Sequence, residues 1–157
     1  MNDSNVEECP VWAELAACCR RYYRARMAFF AEGVDRVSLI RKAMPTADRF
    51  IAVLEGKGLS QSENMELFDV WIDFVRADAE FHAIRDIILS FPREWVLNRI
   101  EEAVEPHLRD YEDYCRYLDL YESLDASLTA KLALRACTHS DVEVQEMGKR
   151  TLDKLNR

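Results

Sequence analysis

Apolar residues recur along this chain at three- and four-residue spacing, the pattern of helices that each bury one stripe. Pro10 suits a first helical turn, and Trp12, Leu15, Ala16, Cys19, Tyr23, Met27 and Phe30 then trace one face up to Gly33. A second helix is expected from about Val34 to Ala43. Met44-Pro45 stops it, because the residue before a proline is pushed out of helical space. Thr46 can cap a third, through Phe50, Val53 and Leu54, that ends at Gly56-Lys57-Gly58. After the loop Ser60-Gln61-Ser62, the longest pattern runs from Glu63 to about Leu89. It carries two stripes: Met65, Phe68, Ile72, Val75, Ala79 and His82 on one side, Leu67, Trp71, Phe74, Phe81, Ile84 and Ile88 on the other. A helix apolar on two sides is normally buried on both, so this segment is expected to be a central spine closed by Phe91-Pro92. Arg93 to Val104 follows, with Trp95, Val96, Ile100 and Val104 inward. Pro106 either kinks that helix or starts the next, which is faced by Tyr111, Tyr114, Tyr117, Leu118 and Tyr121. A corner at Leu124-Asp125 precedes the final pair.

The 17 residues from His139 to Leu155 carry more than amphipathicity. A Ser140-Asp141 corner opens the helix, Glu143-Val144-Gln145-Glu146 follows, and small Gly148 stands where a helix can pack closely. Val144, Gly148, Thr151, Leu152 and Leu155 share one face. Ser140 can cap it, with Glu143 as reciprocal capping-box partner. This ending resembles one helix of a HEAT-type repeat, with Leu128 to Cys137 and Tyr111 to Leu124 as the pair before it. It departs from that pattern at Gln145, where such repeats often carry Arg, and in the apolar run before residue 90, which is longer than a repeat helix. The resemblance implies stacked antiparallel helices. The expected fold is all-α: a short HEAT-like α-solenoid or an irregular bundle of about seven or eight helices. Residues 1–9 are expected to be loosely attached, and residues 10–157 to form a single helical domain.

Composition agrees with that picture. Four Gly and four Pro in 157 residues leave few helix breakers, and a chain of this length buries about 70% of its unfolded surface without a metal or disulfide staple. No apolar run approaches the ~20 residues of a membrane span, and the start MNDSNVEECP lacks a signal peptide's basic region, so a cytoplasmic protein with no membrane partner is expected. Cys9, Cys18, Cys19, Cys115 and Cys137 contain no metal-ligand spacing and are expected as reduced, mostly buried thiols.

The net charge of −8 is unevenly placed. Residues 1–60 carry nine Lys/Arg and eight Asp/Glu; residues 61–157 carry twelve and twenty-one. Acid is densest at Glu101, Glu102, Glu105, Asp110, Glu112, Asp113, Asp119, Glu122 and Asp125, which face only Arg109 and Arg116 in that stretch. These carboxylates, with Tyr114, Tyr117 and Tyr121, are the candidate surface for a partner, whose natural complement would be a basic patch. The tyrosines fit a core face equally well. Arg20, Arg21, Arg24 and Arg26 form the opposite candidate, an anion-binding patch, because guanidinium forks pair with phosphates and carboxylates. His82 lies four residues from both Asp78 and Asp86, a spacing able to clasp a metal, yet a histidine at a core edge is the simpler reading. There is no GxSxG, no HExxH and no phosphate loop. No catalytic residue, cofactor or metal is expected. The sequence therefore reads as a non-enzymatic protein-binding module or adaptor. Two rival readings are an inhibitor or immunity-type protein masking a basic site with residues 101–125, and a small nucleic-acid-associated protein using the arginines. The acidic balance makes nucleic acid the less expected partner.

Overall fold

The structure is a computed structural model and describes residues 9–77 and 80–156. The described residues contain eleven α-helices and no strand, so the protein is all-α. They fall into two compact units that divide between Arg36 and Val37.

In the first unit, α1 (Pro10–Phe29) starts with proline in its first turn, where the missing N–H has no helical acceptor to satisfy. The turn that follows it reaches Gly33 at φ 80°, a left-handed conformation that glycine adopts without a Cβ penalty.

The second unit is built from α2 (Arg36–Ala43), α3 (Arg49–Gly56), α4 (Gln61–Glu66), α5 (Phe68–Phe74), α6 (Phe81–Leu89), α7 (Arg93–Leu97), α8 (Ile100–Val104), α9 (Tyr111–Leu124), α10 (Ala126–Ala136) and α11 (Val142–Leu155). A 3-10 turn, Glu105–His107, carries Pro106. Side-chain pairs show how these helices stack. Along one row, Arg41 of α2 holds Asp69 of α5, Asp73 of α5 meets His107 just beyond α8, and Glu101 of α8 and Glu105 beyond it meet Lys131 and Arg135 of α10. Along the other, Arg49 of α3 and Lys57 beyond its end meet Glu80 and Asp86 at α6, Arg116 of α9 lies over Phe81, and Cys115 and Glu122 of α9 meet Met147 and Lys154 of α11. The hydrogen-bonded pairs among them are 28 to 32 residues apart. Successive pairs advance in the same direction, so neighbours within a row run parallel. Arg93 at the start of α7 reaches Leu124 and Asp125 at the end of α9, and Gln61 at the start of α4 reaches Ser90 beyond α6; partners across the rows therefore run antiparallel. Four antiparallel helix pairs, α2/α3, α4–α5/α6, α7–α8/α9 and α10/α11, stack side by side.

The expected spine from Glu63 to Leu89 is not one helix. The Leu67 N–H turns back to the Asn64 and Met65 carbonyls, which closes α4, and α5 ends at Phe74. Folding buries the larger part of both stripes, Leu67, Phe68, Trp71, Ile72 and Val75 in one arm and Phe81, Ile84 and Ile88, with Ile87, in the other, while Met65 and Phe74 are half-buried, His82 is exposed and Ala79 lies outside the described residues. Arg93 to Val104 likewise breaks at Asn98-Arg99. These breaks raise the helix number above the expected seven or eight. At the C-terminus the cap of α11 is Asp141, which accepts from the Glu143 N–H, instead of Ser140. The capping box lies elsewhere, between the N-cap Ser60 and Glu63 of α4, so that α4 begins inside the stretch Ser60-Gln61-Ser62 expected as loop.

Gly148 fulfils its expected close packing. A Cβ there would lie 2.6 Å from the Ala133 carbonyl oxygen and 2.9 Å from Ala136 Cβ and Cys137 N, so α10 and α11 touch backbone to backbone. Leu152 is half-buried, while Leu155 is exposed.

Candidate functional site

The acidic stretch is largely spoken for within the fold. Glu101 pairs with Lys131 at 3.2 Å, Glu122 with Lys154 at 2.6 Å, Asp125 with Arg93 at 2.5 Å, and Glu105 with Arg135. The Arg135 hydrogen bond holds the Glu105 carboxyl below its usual range, and the Leu128 and Ser127 N–H groups, with Arg93, do the same for Asp125 at the N-cap of α10. Asp113 is buried and accepts the Arg109 N–H at 3.3 Å. Glu102, Glu112 and Asp119 are exposed. Tyr114, Tyr117 and Tyr121 are core residues at 1%, 0% and 3% exposure, which decides between the two roles their spacing allowed. The Tyr117 hydroxyl donates to the Ile72 carbonyl at 2.9 Å, and burial pushes the Tyr117 and Tyr121 phenols far above their ordinary value.

The arginine candidate lies on a different kind of surface. Helix α1 has no buried residue along its 20 positions. Trp12, Leu15, Tyr23 and Met27 are 49%, 51%, 64% and 72% exposed, so the stripe expected to face inward is open. At 100° per residue, Arg20 stands at the edge of that stripe beside Met27, Arg24 one turn on and farther round the same edge, and Arg21 on the opposite side. Arg21 donates to the Cys18 sulfur at 3.0 Å. Arg26 falls within the apolar stripe and lies over the Phe30 ring at 5.0 Å, so its stem adds to that surface. Glu14 is the sole acid of the helix. A second open apolar surface lies on the first helix pair: α3 buries Ala52, Val53 and Gly56 on one side and exposes Phe50, Ile51 and Leu54 on the other.

The remaining candidates resolve as follows. Asp78 lies outside the described residues; His82 is exposed and meets Phe81 edge-on, and the described residues contain no cluster fit to hold a metal ion. No cysteine is buried, contrary to expectation: Cys9, Cys18 and Cys19 are exposed because α1 is open, and Cys115 and Cys137 are half-buried. No described helix is long and apolar enough to cross a membrane.

Two clefts in the second unit were not legible in the sequence. One, about 340 Å³, lies where α2 and α5 end, with Arg41, Asp69, Asp73 and His107 along its wall; His107 Nδ1 is 3.4 Å from Asp73 Oδ1. The other, about 380 Å³, lies between the ends of α3 and α6 and the start of α4. Both are assembled from residues distant in sequence, which periodicity does not bring together. No protein-family model, no curated protein and no solved structure matches the chain.

Proposed function

We propose that this chain is a non-enzymatic binding module that presents α1 to a partner protein, and that the partner offers an apolar groove rimmed by carboxylates. The open stripe of α1 carries the reading. An amphipathic helix laid into a groove buries anchors at three- and four-residue spacing, and Trp12, Leu15, Tyr23 and Met27 supply them. The rim chemistry follows from charge complementarity: Arg20 and Arg24 lie along one edge of the stripe, on a helix whose sole acid is Glu14. The acidic stretch is the weaker interface, because four of its carboxylates already hold cations of α7, α10 and α11 and its tyrosines are core. The four stacked helix pairs, which touch at 28- to 32-residue intervals, support a HEAT-like reading of the second unit and make it a scaffold.

The test is capture of a stoichiometric partner from native extract on immobilised protein, with calorimetry on the purified complex. Leu15→Asp and the double reversal Arg20→Glu/Arg24→Glu should each abolish or strongly weaken binding, and added salt should slow association. Glu112→Lys/Asp119→Lys should leave it unchanged. The reading fails if only the acidic reversals matter, if α1 instead drives self-association or binding to anionic vesicles, or if the arginines bind nucleic acid with a steep salt dependence.

A further inference from the structure

The cleft of about 380 Å³ is walled by Lys57, Leu59, Gln61, Asn64, Asp86 and Ile87. Asn64 decides its chemistry. The residue is 6% exposed, and its Nδ2 donates to the Gly56 carbonyl at 2.9 Å. That carbonyl can only accept, so the amide orientation is fixed and Oδ1 is the atom left over. Oδ1 is buried without a hydrogen-bond partner among the described residues. A buried acceptor left unpaired costs about 1–3 kcal/mol, and such a group calls for a donor.

The surroundings favour a positively charged donor. Helices α3 and α6 both end at the cleft, Lys57 and Ser90 being their C-caps, and a helix C-terminus carries partial negative charge. The Asp86 carboxylate stands at the mouth. Gln61 gives its N–H to the Ser90 carbonyl at 3.2 Å, which leaves its own amide oxygen as a further acceptor. The opposing cation is Lys57, whose Nζ is 3.5 Å from Asp86 with both groups about half exposed, a loose pair that a competitor can displace. Leu59 and Ile87 provide an apolar wall for a short carbon chain.

We infer that this cleft binds a primary alkylammonium group, its N–H bonds going to Asn64 Oδ1 and Asp86 while its carbon chain lies along Leu59 and Ile87. The group belongs either to a free diamine or to the end of a lysine side chain. Lys57 then acts as the built-in competitor. The site is independent of α1, so it stands or falls apart from the docking reading above.

The experiment is NMR titration of the full-length protein with 1,4-diaminobutane, Nα-acetyl-lysine amide, 1,4-butanediol and succinate, followed at the amides of residues 57–64 and 86–90. Saturable shifts are expected with one or both amines and with neither the diol nor the dianion. An exclusive response to the diamine assigns a free amine; an exclusive response to the lysine derivative assigns a side chain. Asp86→Asn should weaken amine binding by up to about fivefold, the factor an exposed charge pair carries, and Asn64→Leu should abolish it. Lys57→Met should tighten it several-fold. Asp86 and Lys57 are exposed, so these two variants report even if Asn64→Leu disturbs the fold. Equal response to the diol, shifts with succinate alone, no saturable shift with either amine, or weaker amine binding in Lys57→Met would overturn the inference.

Discussion

Replacing Gly148 by alanine puts the stacking of the last helix pair to a test in which the sign itself is informative. At an open helical position the change stabilises a protein by about 1 kcal/mol, because glycine is the poorer helix former. At Gly148 the new methyl would enter at 2.6 Å from the Ala133 carbonyl oxygen and 2.9 Å from Ala136 Cβ and Cys137 N. Two of those three atoms are backbone, so no rotamer change relieves the clash; α10 and α11 must separate. Overpacking of this kind costs about 1–3 kcal/mol, and the backbone obstruction places Gly148 toward the upper end of that range. The gain in helix propensity offsets part of it, leaving a net loss of about 1–2 kcal/mol. For a chain of this size that lowers Tm by roughly 2–8 °C. Urea unfolding followed by circular dichroism should show an earlier midpoint at unchanged slope. An unchanged or later midpoint would mean that α11 does not lie against α10 as described.

Three further outcomes follow from particular contacts. Asp141→Ala should cost about 1 kcal/mol through loss of the cap on α11, whereas Ser140→Ala should stay within about 0.5 kcal/mol in the same urea assay. Phe50→Ser, on the exposed side of α3, should change stability by less than about 0.5 kcal/mol; a core-sized loss would show that this face is covered. Alkaline pH should destabilise the fold. Burial raises the Tyr117 phenol, with Asp113 and Asp73 adding to it, and burial with Glu101 and Glu105 raises Tyr121. The folded state thus keeps protons that the unfolded chain loses, so this stability is complete below the ordinary phenol pKa of about 10 and is lost as pH rises through the higher folded values. Urea midpoints across that range should fall, with phenolate absorbance from these two tyrosines appearing only on unfolding.

The sequence revealed what local periodicity encodes. α1, α9, α10 and α11 begin and end close to where their apolar spacing, Pro10, the Leu124-Asp125 corner and the Ser140-Asp141 corner place them. The close approach at Gly148 was also visible, since a residue without a side chain on an apolar helix face leaves room for a neighbouring backbone. The breaks inside 63–89 were hidden because no Gly or Pro marks them: Leu67 closes α4 by hydrogen bonding its N–H back into the last turn, a feature of geometry instead of composition. Charge misled in one respect. Nine carboxylates in a stretch with two arginines look like an open acidic surface, yet their cations, Arg93, Lys131, Arg135 and Lys154, come from outside the stretch and arrive only through stacking. Asn64 gave no sign, because its importance lies in an unfilled hydrogen bond that depends on Gly56.

The central claim, that α1 is the surface a partner grips, is tested most directly by site-specific photo-cross-linking in native extract. A photoreactive residue replaces Trp12, Leu15, Tyr23 or Met27 in turn and, in separate preparations, Glu112 or Asp119, with the attached peptides identified by mass spectrometry. The account predicts that one partner protein cross-links at the four α1 positions and not at the other two, through a segment that combines apolar residues with Asp and Glu, and that Arg20→Glu/Arg24→Glu removes the adducts. Cross-links confined to Glu112 and Asp119, or α1 adducts indifferent to the arginine reversal, would contradict it.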